Sequence, residues 1–206
     1  MPAIKDINYK ALVDPTKPHP FPEIPDEIFF YAVDKVLSEK RVDLTQMAAD
    51  LGVSRVTIHR KVRRRDDLLG AAMLYVFTFM LDLALEAGNG KAGVERIGAI
   101  SHRLFELVRT SNALHFLLSN EPECALRLLT TKKGPIQGYM VAGVELMLAE
   151  EVDNGTLAPR MPVHSLAYLL VRVGESFMYA DVIADEPVDI EQAYECVMGI
   201  LKSQAT

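Results

Sequence analysis

Apolar residues recur at spacings of three and four along nearly the whole chain from Asp26 onwards. In residues 26–40 they share one helical face, with Ile28, Phe29, Ala32, Val33, Val36 and Leu37. No segment shows the alternation of a half-buried strand, and no repeat or low-complexity tract interrupts the pattern. The sequence therefore predicts an all-α fold of about nine helices.

Turn-forming residues mark where the predicted helices end. Gly-Asn-Gly at 88–90 ends a helix that begins near residue 67, and Asp-Asn-Gly at 153–155 ends one that begins near residue 135. A long apolar helix is predicted over 163–184 and a final one over 189–203, because a proline precedes each.

Prolines are concentrated at the N-terminus, where residues 1–25 hold six of the 11 in the chain. Proline fixes φ and removes a hydrogen-bond donor, so this segment is predicted to be an extended arm rather than a folded element. Three parts follow: a Pro-rich arm over 1–25, a three-helix head over 26–72 and a larger helical domain over 73–206.

Positive charge is concentrated in one short segment of an acidic chain. The whole sequence has 22 Lys+Arg against 28 Asp+Glu, a formal net charge of −6. Residues 55–65 nevertheless contain six basic side chains and no acidic one: Arg55, Arg60, Lys61, Arg63, Arg64 and Arg65. A solvated surface helix commonly mixes both signs, so a single sign favours a polyanionic partner.

Residues 44–69, LTQMAADLGVSRVTIHRKVRRRDDLL, indicate two short helices joined by a tight turn. Either Asp43 or Thr45 caps the first helix, and Ser54 caps the second. Gly52 stands at the turn, where a residue without Cβ adopts positive φ at little cost. The positions predicted to face the core are Met47, Ala48, Leu51, Val53, Ile58 and Val62.

This pattern is a helix-turn-helix whose second helix presents a basic surface suited to the major groove of DNA. Guanidinium groups read base edges, and Val or Thr methyls contact the thymine methyl. The arginines that follow are predicted to meet phosphates beside the N-terminus of the next helix. The predicted DNA-binding residues are Thr45, Ser54, Arg55, Val56, Thr57, His59, Arg60, Lys61, Arg63, Arg64 and Arg65.

Residues 26–72 resemble the DNA-binding domain of the TetR family of bacterial transcriptional regulators, including the Gly-Val-Ser at the turn. The resemblance implies DNA contacts at Arg55, Val56, Thr57, His59, Lys61 and Arg65. Two positions depart from the family pattern, His59 in place of Tyr and Val62 in place of Phe. The resemblance also implies that the remaining helices bind a small molecule and that the last two form a homodimer, which suits a palindromic operator.

Residues 165–183, SLAYLLVRVGESFMYADVI, are nearly all apolar but place Arg172, Glu175 and Tyr179 on one helical face. A buried charge is costly unless it is paired. The group is therefore either a structural ion pair with a Tyr hydroxyl or a polar anchor for a ligand carbonyl, carboxylate or lactone. The segment VRVGESFMYADVI also resembles the QsdR-type subgroup of the family, which implies an acyl lactone or a fatty acid as effector.

Further candidates for an effector site lie on the middle helices. With the group just described, the predicted ligand-binding residues are Phe77, Met80, His102, Phe105, His115, Phe116, Tyr139, Met147, Arg172, Glu175, Met178 and Tyr179. Apolar residues at helical spacing are usually ordinary core, so that alternative stays open for most of them.

No motif for an enzyme, a metal or a cofactor occurs in the sequence. The two cysteines are far apart, and the uncharged apolar stretch at residues 68–81 is shorter than a membrane span. The sequence predicts a cytoplasmic protein that is not an enzyme and has no membrane partner. Three hypotheses follow: a ligand-responsive repressor, a small-molecule-binding protein without a transcriptional role, or a constitutive DNA-binding regulator without an effector.

Overall fold

The computed structural model describes residues 13–204, and every regular element in that range is a helix. The α-helices are α1 (Asp26–Leu37), α2 (Leu44–Asp50), α3 (Arg55–Lys61), α4 (Arg65–Leu85), α5 (Gly93–Arg109), α6 (Asn112–Asn120), α7 (Pro122–Thr130), α8 (Pro135–Asp153), α9 (Val163–Met178), α10 (Ala180–Ile183) and α11 (Ile190–Gln204). A 3₁₀ turn, Glu86–Gly88, follows α4. The predicted all-α class is confirmed, with eleven α-helices in the described range rather than about nine.

The described chain divides into two compact units. The first takes the chain up to Phe79 together with Asn112–Ile136, and the second takes Met80–Ser111 and the chain from Gln137 onwards. Helices α1 to α3, most of α4, α6 and α7 thus belong to the first unit. The boundary between residues 72 and 73 stays a prediction, and residues 1–12 and 205–206 of the predicted arm and last domain lie outside the described residues.

The core of the first unit follows the apolar periodicity of its helices. Phe29, Met47, Ile58 and Leu68 from α1 to α4 are each fully buried. Among the predicted core positions of the two short helices, Met47, Ala48, Ile58 and Val62 are buried, which confirms them.

Two other predicted core positions differ. Leu51 is half-buried. Val53 is 37% exposed, so its assignment to the core was wrong. The Val53 N–H closes the turn on the Ala48 carbonyl at 3.0 Å, and this bond leaves the Val53 side chain at the outer edge of the turn.

Residues 13–25 differ from the extended arm that their prolines predict. His19 is 7% exposed, and its ring stacks on Phe29 with 3.8 Å between the ring centroids. The His19 Nδ1 accepts the Phe21 N–H at 3.2 Å, and Phe29 meets Tyr75 edge-on. The prolines do restrict this backbone, but the aromatic side chains between them bury area against α1 and fix the segment there.

The long helix predicted over 163–184 breaks at Tyr179, which leaves the helical conformation with φ −119° and ψ 20°. Helix α9 therefore ends at Met178, and the short α10 follows it. The Tyr179 side chain at this break is buried, being 8% exposed.

Helix α4 with the following turn, Arg65–Gly88, is long and apolar enough to cross a membrane by length and composition alone. Half of its most apolar window is buried inside the protein. A core helix of a globular protein passes the same test, so this feature is weak evidence for a span.

The second unit contains a buried carboxylate that joins the start of α5 to the end of α8. Glu151 is 2% exposed and accepts hydrogen bonds from the Gly93 N–H, the Arg96 guanidinium and the Thr156 hydroxyl, each at 2.5 Å. Burial alone would raise the pKa of Glu151, and these three bonds outweigh it and hold the pKa below its usual value.

Replacing this carboxylate should destabilise the second unit. We expect Glu151→Ala to lower the free energy of unfolding by about 2–3 kcal/mol, because it leaves the buried Gly93 N–H without an acceptor and removes the bonds from Arg96 and Thr156. Glu150→Ala is the matched control, since the exposed Glu150 accepts only from Arg96, at 2.9 Å, and should cost below about 1 kcal/mol. Urea unfolding measures both.

The same substitution carries a pH signature. Because the folded-state pKa of Glu151 is depressed, its contribution is present above the pKa of the unfolded chain and is lost as pH falls through the folded pKa. The stability difference between the wild type and Glu151→Ala should therefore shrink on acidification. A difference that is independent of pH, or equal losses in the Glu150 and Glu151 variants, would contradict this role.

Candidate nucleic-acid interface

Helix α2 begins at an aspartate cap. Asp43 Oδ1 accepts the N–H groups of Thr45 at 2.7 Å and Gln46 at 3.0 Å, so Asp43 is the cap and Thr45 is capped by it. Backbone bonds from Gln46 and Thr45 hold the pKa of Asp43 below its usual value. Thr45 itself is exposed at the first turn of α2.

Helix α3 is oriented by a cap and by two buried side chains. The Ser54 Oγ accepts the Thr57 N–H at 3.1 Å and lies 2.9 Å from the Thr57 hydroxyl oxygen. Ile58 in α3 and Val62 just after it are buried. With this side of the helix fixed in the core, the opposite side faces solvent.

The outward side of α3 and the residues after it form one basic surface. Val56 is 76% exposed, and the charged or polar members are exposed as well: Arg55, His59, Arg60, Lys61, Arg63 and Arg64. None of the five arginines and lysines in that list forms an ion pair within residues 13–204. These five cations, with Val56 and His59, are called the basic surface below. Their charge is therefore available to an anionic partner.

Arg65 lies elsewhere, although the sequence groups it with the other cations. Its Nη1 and Nη2 donate to both carboxylate oxygens of Glu121 at 2.7 and 2.6 Å, and its Nε donates to the Val42 carbonyl at 2.5 Å. Burial alone would lower the pKa of Arg65, and the bonds to Glu121 outweigh it and raise the pKa. The guanidinium is thus engaged inside the first unit.

A second ion pair holds the same end of α4. The Arg127 guanidinium donates to Asp66 at 2.5 Å, and the Cys124 thiol lies 3.6 Å from the same carboxylate. Glu121 precedes α7, and Cys124 and Arg127 lie within it. Sequence reasoning missed these partners because they are more than 50 residues from Arg65 and Asp66, and no local spacing signals them.

These contacts predict opposite roles for two adjacent arginines. Arg65→Ala should lower the free energy of unfolding by about 2–3 kcal/mol, because it removes two short hydrogen bonds from the largely buried Glu121 carboxylate, which keeps only the exposed Arg41 at 3.5 Å. Arg64→Ala, the matched control, should change it by less than about 0.5 kcal/mol because Arg64 is exposed. Thermal and urea unfolding distinguish them, and equal stability of the two variants would contradict the structural role of Arg65.

The predicted ligand-binding residues are divided between the two units. Phe77, His115 and Phe116 belong to the first unit, and the other nine belong to the second. His115 is exposed and Tyr139 is 40% exposed. A cavity of about 770 Å³ lies in the first unit, and none of the twelve lines it.

Arg172 and Glu175 pair with each other within one turn of α9, with Arg172 Nη1 donating to Glu175 Oε2 at 2.6 Å. Burial raises the pKa of Glu175 despite the opposing effect of Arg172. Burial, together with the Glu175 carboxylate, also raises the pKa of Tyr179. Arg172 and Glu175 therefore form an ion pair, and the choice between a structural group and a ligand anchor stays a prediction.

The sequence matches the model of the tetracyclin repressor-like C-terminal domain over residues 92–202, more than half of the chain. Among solved structures, the chain is similar to the R. erythropolis transcriptional repressor QsdR from the TetR family. The two are 27% identical, the match covers 85% of this chain and 92% of that one, and the TM-score is 0.76. No curated protein matches the sequence.

The family match and the helix-turn-helix come from different parts of the chain. The matched C-terminal region begins after α4, whereas α2, α3 and the basic surface lie before it. The match to the solved repressor covers 85% of this chain, so it extends well beyond the C-terminal region. The chain therefore belongs to the TetR family of transcriptional regulators.

Proposed function

We propose that this regulator is a repressor that binds a palindromic operator as a homodimer and is released by a small apolar or amphipathic effector. The basic surface is the observation that supports this proposal. Five exposed cations lie on or directly after the second helix of a helix-turn-helix, in a chain whose net charge is −6. Membership of the TetR family supports it, and a member of that family is not generally an enzyme.

In this proposal α3 enters the major groove with Arg55, Val56, Thr57, His59, Arg60 and Lys61 facing the DNA. Arg63 and Arg64 contact phosphates, with Thr45 and Ser54 at the edge of the interface. His59 donates to a phosphate from an imidazole nitrogen. Arg65 supports the interface from within by fixing the start of α4.

The homodimer is proposed to form through α9 to α11. Tyr168 and Leu169 on α9 are 51% and 37% exposed, and Ile183 at the end of α10 is 58% exposed. Large apolar side chains exposed in a protomer are typical of a surface that another subunit covers. A two-fold axis there would present two heads to successive major grooves, roughly 34–36 Å apart.

The proposed effector has an acyl chain, either an acyl lactone or a fatty acid, and binds in the helical domain over 73–206. The likeness to a repressor named QsdR supports assignment to that subgroup. The candidate lining residues are the twelve predicted ligand-binding residues, with Arg172, Glu175 and Tyr179 as the polar group. Because α4 runs from the head into the second unit, an effector that shifts α4 would change the position of the head.

A protein that regulates transcription through these contacts acts where the chromosome is accessible, so we place it in the cytoplasm of a bacterium.

Arg55→Ala and Lys61→Ala should each weaken binding to the gene's own upstream DNA by at least about tenfold without changing the dimer. Fluorescence anisotropy measures the affinity, and sedimentation measures the oligomeric state. Lys202→Ala is the control, since Lys202 is exposed near the C-terminal end of α11 and belongs to the second unit. Unchanged DNA affinity in both head variants would contradict the placement of α3.

Arg172→Ala separates the two interpretations of the α9 pair. If Arg172 anchors the effector, the concentration needed to release DNA should rise about tenfold with little change in thermal stability. If the pair is structural, the melting temperature should fall while release by the effector is unchanged. Arg109→Ala, which removes an exposed arginine at the C-terminal end of α5, is the control for loss of charge.

The titration combines DNA, salt and effectors. Protein is bound to upstream DNA across a salt series, and acyl lactones and fatty acids of increasing chain length are then added. Salt-steep binding that one chain length releases supports the repressor. Binding that none releases favours a constitutive regulator, and ligand binding without DNA binding favours a small-molecule carrier.

A further inference from the structure

The cavity of about 770 Å³ in the first unit lies at the junction between α3 and α4. Its apolar wall is formed mainly by the half-buried Phe21, Ile24 and Pro135, whereas Val62, Leu68 and Leu128 also line it but are each at most 4% exposed. The volume is typical of a site for a small organic ligand. A DNA phosphate would use none of this apolar wall, so the wall indicates a ligand with a hydrocarbon or aromatic body.

The charged residues of the same cavity favour an anion. Its cationic members are Arg60, Lys61, Arg63 and Lys133. Of the three acidic members, Asp66 is neutralised by Arg127 at 2.5 Å, which leaves Glu23 and Asp67. Cations therefore outnumber the remaining carboxylates by two to one, and a cationic ligand is disfavoured.

We propose that this cavity binds an amphipathic carboxylate, with its apolar body against the wall and its carboxylate among the four cations. The site is distinct from the effector site proposed in the helical domain, because none of the twelve predicted ligand-binding residues lines it. Arg60, Lys61 and Arg63 also belong to the basic surface. A bound carboxylate would occupy cations that DNA requires, so the ligand and DNA exclude each other directly; this last step rests on the proposed function.

Two adjacent lysines provide a matched test of the ligand site. Lys132 and Lys133 are both exposed in the loop between α7 and α8, but only Lys133 lines the cavity. Decanoate is titrated into the full-length wild type, Lys133→Glu and Lys132→Glu by calorimetry, with decanol as the uncharged probe. Circular dichroism melting checks that all three proteins fold alike.

We expect Lys133→Glu to weaken decanoate binding at this site by at least about fivefold, with Lys132→Glu close to the wild type and decanol indifferent to either change. Equal decanoate affinity in all three proteins would overturn the proposal, as would no decanoate binding by the wild type. Equal binding of decanol and decanoate at the Lys133-dependent site would overturn the carboxylate assignment.

A second titration tests exclusion. Excess duplex DNA at low salt should raise the apparent Kd of decanoate at the Lys133-dependent site at least fivefold. An unchanged Kd with DNA bound would overturn direct competition. A protein that binds decanoate through Lys133 but never binds DNA would refute the proposed function while leaving the carboxylate site intact.

Discussion

The bidentate bond between Arg65 and Glu121 holds together the part of the chain that carries the basic surface. Arg65 opens α4, Glu121 stands between α6 and α7, and the Val42 carbonyl, which Arg65 also bonds, precedes α2. One guanidinium thus connects three segments that are distant in sequence. Because bidentate arginine–carboxylate pairs are both strong and directional, the pair fixes where α4 begins. The exit of α3 is thereby fixed as well, since only three residues separate the two helices.

The six cations of residues 55–65 therefore fall into an exposed group and one paired arginine. Five remain exposed in residues 55–64 and form no ion pair within residues 13–204, and the sixth is paired inside the unit. An acidic remainder keeps the other surfaces away from a polyanion, while the basic surface attracts it. Such attraction between exposed charges is strongly screened by salt, whereas the largely buried Arg65–Glu121 pair is screened much less. The head is therefore predicted to keep its geometry at salt concentrations that release DNA.

The sequence predicted most reliably what depends on local spacing. The periodicity placed Met47, Ile58 and Val62 in the core, and the residue types at the helix starts predicted Ser54 as a cap and Asp43 as one of two candidates. Long-range pairings were not predictable from one sequence. Nothing near Arg65 signals a carboxylate 56 residues away.

Where tertiary packing overrides local preference, the predictions failed. The prolines before α1 gave no sign that His19 stacks on Phe29. Proline restricts the backbone dihedral angles of the segment, and that restriction does not determine whether its side chains pack on a helix. The apolar run over 165–183 gave no sign that the helix ends before Tyr179, since an apolar composition is the same for one continuous helix and for two helices separated by a break. The ligand-binding list stays untested, because apolar residues at helical spacing look the same whether they fill a core or line a cavity.

The central claim is that residues 54–64 form the DNA-facing surface and that Arg65 supports it from within. Hydrogen–deuterium exchange with and without upstream duplex DNA, read by mass spectrometry, tests this most directly. DNA should add protection in peptides that cover α2, α3 and residues 62–64, while amides around Glu121 stay as slow as before. Protection that appears only elsewhere in the chain, with residues 54–64 unchanged under DNA saturation, would contradict the claim.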